Sequence, residues 1–183
     1  TRVIIAVKPH YKEAVAAVNK LLPAYPNTEI GLLPEIYPSG DEVVTIYETT
    51  GRVVPPGKIP ISVGVTVFNV ETAFNVARAL KENAPVTYKY ITICGEVAHP
   101  ATFKAPLGIT YGELIDLAGG ATVEDPVLIA GGPMTGNITQ RSDVVTKTSN
   151  AILVMPKHQY IVEKRLTPLT ISMKRAMSVC CNC

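Results

Sequence analysis

VIIAVKPHYKEAVAAVNKLLPAYPNTEIGLL, residues 3–33, decides the fold class of this chain. Val3 to Val7 is a continuous apolar run rich in β-branched residues, as a buried strand requires. From Tyr11 to Leu22 the apolar residues Ala14, Val15, Val18, Leu21 and Leu22 recur at helical spacing. Pro23, which has no amide hydrogen to donate, stops the helix. Thr28 to Leu33 is a second short strand. The β-α-β unit so formed predicts parallel strands joined by a right-handed crossover.

Outward from that unit, Tyr37-Pro38-Ser39-Gly40-Asp41-Glu42 is a turn-rich loop that opens a helix from about Asp41 to Glu48. Thr49 to Gly64 holds three glycines and three prolines, which predicts a long ordered loop of the kind that often carries function. Asn69-Val70-Glu71-Thr72 then starts a helix through Leu80, with Val70, Phe74, Ala77 and Leu80 on one face. Composition shifts near Pro85. Thr87 to Ile93 alternates as a half-buried strand, and Gly95 to Ala105 reads as a hairpin turning at His99-Pro100. Thr110-x-x-Glu113 is a capping box opening the helix Tyr111 to Ala118, which Gly119-Gly120 closes. Pro126 to Ala130 is a strand that ends in the turn Gly131 to Gly136. Strand, hairpin, capped helix and strand in so short a span predict a small β-grasp module. Ala151 to Met155 is one more strand, and Thr170 to Val179 is helical.

Charge and composition narrow the function classes. Seventeen Lys plus Arg against fifteen Asp plus Glu leave a formal charge of +2, without the clustered basic face that nucleic-acid binding needs. No stretch approaches the ~20 consecutive apolar residues of a membrane helix. The 183 residues allow one ordinary domain or two small ones, and 47% hydrophobic content supplies a core. The sequence opens on Thr1 with no export signal, and three of its four cysteines, Cys180, Cys181 and Cys183, crowd the last four positions. The expectation is a piece of a longer cytoplasmic protein.

Several segments can carry chemistry. Cys180 and Cys183 have Cys-x-x-Cys spacing, which brings two thiolates to one zinc ion, redox pair or iron–sulfur cluster, or belongs to a chain end without a ligand. Cys94, inside an apolar strand, reads as a core residue. The Tyr37 to Glu42 loop places a ring, a glycine and two carboxylates before a helix, an arrangement that can grip a polar heterocycle. On spacing alone the plainer reading, two carboxylates complementing the helix dipole, is favoured. Asn69 to Thr72 is a similar corner with an ordinary N-cap as its plainer reading. Gly131 to Gly136 lacks the Lys-Ser/Thr ending of a phosphate-binding loop. No residue is singled out as an acid, base or nucleophile.

In order, Tyr37-Pro-Ser-Gly-Asp-Glu42, Gly51-Arg-Val-Val-Pro-Pro-Gly57, Pro60-Ile-Ser-Val-Gly64 and Val67-Phe-Asn-Val-Glu-Thr72 resemble one family, as do Thr92-Ile-Cys-Gly-Glu-Val97, Ala130-Gly-Gly-Pro-Met134 and Lys147-Thr-Ser-Asn150. It comprises the C subunit of Rnf-type electron-transport complexes and the cobalamin reductase of propanediol-utilisation microcompartments. Both are similar to the flavin- and NADH-binding subunit of respiratory complex I. The resemblance covers essentially the whole chain, and the wording of residues 53–58 and 65–68 is most like the microcompartment reductase.

The resemblance implies an α/β fold: a Rossmann-like β-α-β flavin- and NADH-binding part (1–85), a β-grasp soluble-ligand-binding domain (86–137), a return strand and linker (138–169), and the start of a helical iron–sulfur domain (170–183). It implies that Tyr37, Gly40, Asp41 and Glu42 lie over flavin and nicotinamide and that Asn69 and Thr72 contact flavin mononucleotide (FMN). Cys180 and Cys183 match the first two ligands of a ferredoxin-like 4Fe-4S run. The implied activity is electron transfer from NADH through FMN and 4Fe-4S clusters to cobalamin. The alternatives are the C subunit of a ferredoxin:NAD oxidoreductase, and a corrinoid- or partner-binding module without redox activity. An adenosyltransferase or other microcompartment proteins are further implied partners, and a bacterial microcompartment is an implied location. The family's glycine-rich flavin-phosphate loop is expected ahead of Thr1, and its remaining cluster ligands after Cys183. Without that loop's N–H donors the chain alone is expected to fold but to be inactive and to bind flavin weakly or not at all. Isothermal titration with FMN checks this, and micromolar or tighter binding would overturn it.

Overall fold

The computed structural model describes residues 1–180. The chain forms two compact units, Thr1–Val76 and a second from Ala77 onward.

In the first unit, β1 (Val3–Val7) and β2 (Thr28–Leu32) pair in parallel, with Val3 opposite Thr28 and Val7 opposite Leu32. The connection is α1 (Lys12–Leu21), and Pro23 lies in the 3-10 turn Leu22–Ala24 that ends it. This is the β-α-β unit the sequence predicts. Next comes α2 (Glu42–Thr50), which closes on Gly51 in the left-handed region. Gly31 lets α2 approach the strands: a Cβ there would stand 2.9 Å from Ile4 Cγ2 and 3.0 Å from Thr49 Cγ2. The predicted long loop follows α2 and contains a 3-10 turn at Pro60–Val63. Leu33, Ile46 and Val54 are the buried apolar residues of this unit. The helix α3 (Val70–Glu82) starts at the predicted corner. Its expected apolar face is open at both ends, with Val70 and Leu80 76% and 83% exposed.

The second unit is a five-stranded mixed sheet. Its strands are β3 (Tyr88–Gly95), β4 (Ala101–Pro106), β5 (Val127–Ala130), β6 (Asn137–Thr139) and β7 (Ala151–Met155), in the order β4-β3-β7-β5-β6. β3 and β7 run parallel, and the other neighbours are antiparallel. The expected hairpin is formed by β3 itself with β4. Between β4 and β5 lies α4 (Tyr111–Leu117), and α5 (Tyr160–Leu166) and α6 (Leu169–Val179) follow β7. Strand alternation sends Ile91 and Ile93 inward, where they are fully buried with Leu114, Ile115, Ile152 and Val154. Tyr90 and Thr92 lie on the other face, and the Thr92 hydroxyl meets that of Thr102 at 2.9 Å. Gly95 has φ +90°, and a Cβ there would fall 2.2 Å from the Val154 carbonyl oxygen, so only glycine fits this crossing.

The capping box forms as predicted. Thr110 Oγ1 accepts from the Glu113 amide at 3.2 Å, and Glu113 Oε2 accepts from the Thr110 amide at 2.9 Å. The Thr110 hydroxyl also donates to Glu113 Oε2 at 2.7 Å, and this bond first, with the Thr110 amide second, holds the Glu113 carboxyl below the ordinary glutamate range. Asp143 is lowered likewise, first by the Thr139 hydroxyl and then by the Gln140 amide. A carboxyl whose folded pKa is depressed stabilises the fold above its unfolded pKa, and that contribution disappears as pH falls through the folded value. Urea midpoints should therefore be flat above about pH 5 and decline below about pH 4. The double variant Glu113→Gln, Asp143→Asn should show a shallower acid decline.

Candidate functional site

The Tyr37 to Glu42 loop is held by its own backbone. The Ser39 amide donates to the Ile36 carbonyl and the Asp41 amide to the Pro38 carbonyl, both at 2.9 Å. The Tyr37–Pro38 peptide is cis, and Gly40 takes φ +105°, a region that favours glycine. Ser39 is buried, and its hydroxyl donates to Glu48 Oε2 at 2.9 Å. Asp41 is the N-cap of α2: its Oδ1 accepts from the amides of Val43 at 3.0 Å and Val44 at 3.4 Å. The two carboxylates paired in the sequence reading therefore have different jobs. Asp41 is spent on the helix. Glu42 is exposed in the first turn, and no hydrogen bond or ion pair among the described residues engages it. Tyr37 is 72% exposed and likewise unengaged.

At the second corner, Asn69 Oδ1 accepts from the Glu71 amide at 2.9 Å, and the Asn69 carbonyl accepts from the Ala73 amide at 3.0 Å. Capping uses the oxygen of the side-chain amide and leaves its two Nδ2 hydrogens to donate elsewhere. Thr72, one turn on, is exposed. The loop arriving at this corner is tied to Arg52, whose guanidinium donates to the carbonyls of Val63 at 2.6 Å and Gly64 at 3.5 Å.

Cys180 is exposed immediately after α6, and Cys183 lies outside the described residues. Among the described residues no group of three or more His, Cys, Asp and Glu side chains is placed to hold a metal ion. Burial pushes the half-buried Cys94 thiol up, so it has little thiolate character. It is not the core residue the sequence reading expects, because alternation along β3 puts it on the face opposite buried Ile91 and Ile93. No helix among the described residues is long and apolar enough to cross a membrane.

Residues 1–78 match the Nuo51 FMN-binding domain and residues 90–137 the SLBB domain. A cobalamin reductase, PduS, of Citrobacter freundii is 44% identical over 98% of this chain, and the match spans 40% of that protein. Its counterpart in Salmonella typhimurium gives the same values. Over these residues the chain is similar to both cobalamin reductases, with a flavin-domain match in its first part and an SLBB match in its second. The C subunit of the Na(+)-translocating ferredoxin:NAD(+) oxidoreductase complex of Acetobacterium woodii is 33% identical over 84% of the chain and 35% of its own length. A crystal structure of an NAD+-reducing [NiFe]-hydrogenase in the H2-reduced state shares the fold, with a TM-score of 0.59 at 19% identity over 85% of this chain and 33% of that one. The chain spans about 40% of the length of the cobalamin reductases it matches.

Sequence reading missed two side chains of the candidate site, Glu48 and Arg52. Each acts on a loop distant in sequence, nine residues back from Glu48 and eleven or twelve on from Arg52. Helical periodicity carries no such information. The different jobs of the neighbouring carboxylates are testable by stability alone. Asp41→Ala should cost about 1 kcal/mol, Asp41→Asn only a small part of that because asparagine also caps, and Glu42→Gln close to nothing. Urea melts of the three variants give the order.

Proposed function

We propose that the protein containing this chain is an NADH-linked oxidoreductase that uses FMN and passes electrons to a corrinoid acceptor. The observation that carries the reading is the pair of unengaged side chains, Tyr37 and Glu42, presented on a loop whose other polar groups are spent on holding it. The matches to the Nuo51 FMN-binding domain and the SLBB domain support it. The donor set suits an isoalloxazine and a nicotinamide. Asn69 Nδ2 and the Thr72 hydroxyl can donate to ring carbonyls, Glu42 can accept from a ring N–H or a carboxamide, and the Tyr37 ring can cover a flat heterocycle. Bound FMN would supply the conversion between a two-electron hydride and single electrons. Gly40 contributes the backbone conformation that brings Tyr37 and Glu42 to one loop. Cys180 and Cys183 would give two thiolates to a 4Fe-4S cluster. The 44% identity to cobalamin reductases favours cob(III/II)alamin as acceptor, with the SLBB domain offering its surface.

Matches to the C subunits of ion-translocating oxidoreductases at 31–36% identity favour a second reading, in which the same flavin site exchanges electrons with ferredoxin. A third reading assigns the SLBB domain a purely corrinoid- or partner-binding role. In the full-length protein NADH should bleach a flavin absorbance band, and Glu42→Gln should raise the KM for NADH by about tenfold, the loss of about one charge-assisted hydrogen bond. A full-length protein with no flavin band, or with a band that NADH leaves unbleached, would overturn the enzyme reading and leave the binding module.

A further inference from the structure

The two corners of the candidate site share one mechanical anchor, five residues long, at the end of α2. Glu48 takes the hydroxyl of buried Ser39 and so holds the Tyr37 to Glu42 loop. Arg52, four residues later, takes the carbonyls of Val63 and Gly64 and so holds the loop that delivers Asn69. The segment between them is itself pinned. The Thr49 and Thr50 hydroxyls donate to the carbonyls of Thr45 at 2.7 Å and Ile46 at 2.6 Å, and the Gly51 amide donates to Tyr47 at 2.8 Å. Thr50 Oγ1 also accepts from the Arg52 amide at 3.2 Å, which sets the direction in which Arg52 leaves the helix.

We infer that Glu48 and Arg52 are positioning residues which tie both cofactor-facing corners to residues 48–52, so that the corners keep one fixed relation to α2. The physical ground is the cost of the alternatives. Without Glu48 the buried Ser39 hydroxyl loses its acceptor. Without Arg52 the two carbonyls at the end of the 3-10 turn lose a charged donor that serves both at once. That these corners face cofactor rests on the function proposed above. The anchoring itself does not.

Amide hydrogen exchange in the full chain tests the anchor without any cofactor. Glu48→Ala should speed exchange at the Ser39 and Asp41 amides by tenfold or more and leave Ser62, Gly64 and Val65 protected. Arg52→Ala should do the reverse. Glu48→Gln should keep Ser39 and Asp41 as protected as in the parent protein, because its amide oxygen still accepts from Ser39, and Ser39→Ala should reproduce Glu48→Ala from the other side if that variant fails to fold. Unchanged exchange in the alanine variants would overturn the anchor whatever the flavin does. In the flavin-loaded full-length protein, Glu48→Ala should raise the KM for NADH about tenfold with kcat within twofold, and Glu48→Gln should rescue it. Faster loop exchange with an unchanged KM would uphold the anchor and overturn the placing of NADH at this loop.

Discussion

The first unit depends on how closely α2 lies against β1 and β2. That approach is set at Gly31, where any side chain would run into Ile4 from one strand and Thr49 from the helix. Steric exclusion of this kind is stiff, because interiors are packed to crystal-like density and a backbone cannot yield by a fraction of an ångström without cost. With the helix seated, its start is fixed by Asp41 and its end by Thr49, Thr50 and Gly51. Everything that could meet a ligand then hangs from those two ends. Buried apolar area in this unit is small, so hydrogen bonds to loops decide its shape more than a core does.

This arrangement separates holding from presenting. Ser39, Asp41, Glu48 and Arg52 spend their polar groups inside the unit, while Tyr37, Glu42, Thr72 and the Asn69 amide nitrogen keep theirs. A group already satisfied internally has little to offer a ligand, since a second partner must replace the first. A group facing water gives up only solvent hydrogen bonds. The same division explains why adjacent residues of like charge, Asp41 and Glu42, are not interchangeable.

Local signals were readable in the sequence wherever one stretch contains its own partner. The β-α-β unit, the Thr110–Glu113 capping box, the stop at Pro23 and the helix start at Asn69 each need only a few neighbouring residues. Contacts across sequence were not readable. β6 is three residues long, and its pairing with β5 comes from the turn geometry of residues 131–136 rather than from any pattern of its own. The sequence reads as a hairpin over Gly95 to Ala105, whereas its first arm is β3 itself, because a half-buried strand gives no sign of its neighbour. The division of labour between Asp41 and Glu42 was invisible for a similar reason: both are acidic residues near a helix start, and only the backbone path decides which one caps.

The parallel pairing of β3 with β7 bears on how the second unit comes into being. Thr92 finds its partner Ala151 only about 60 residues later, so the middle of the sheet is the last strand to be made. At ribosomal rates Ile93 waits roughly 3 to 12 s for the strand that lies beside it, and Leu128 and Ile129 wait roughly 1 to 5 s. Such long-range closure is slow and leaves unpaired edges exposed. A ribosome that pauses between residues 137 and 151 prolongs the interval in which this chain is most open to chaperones and to aggregation.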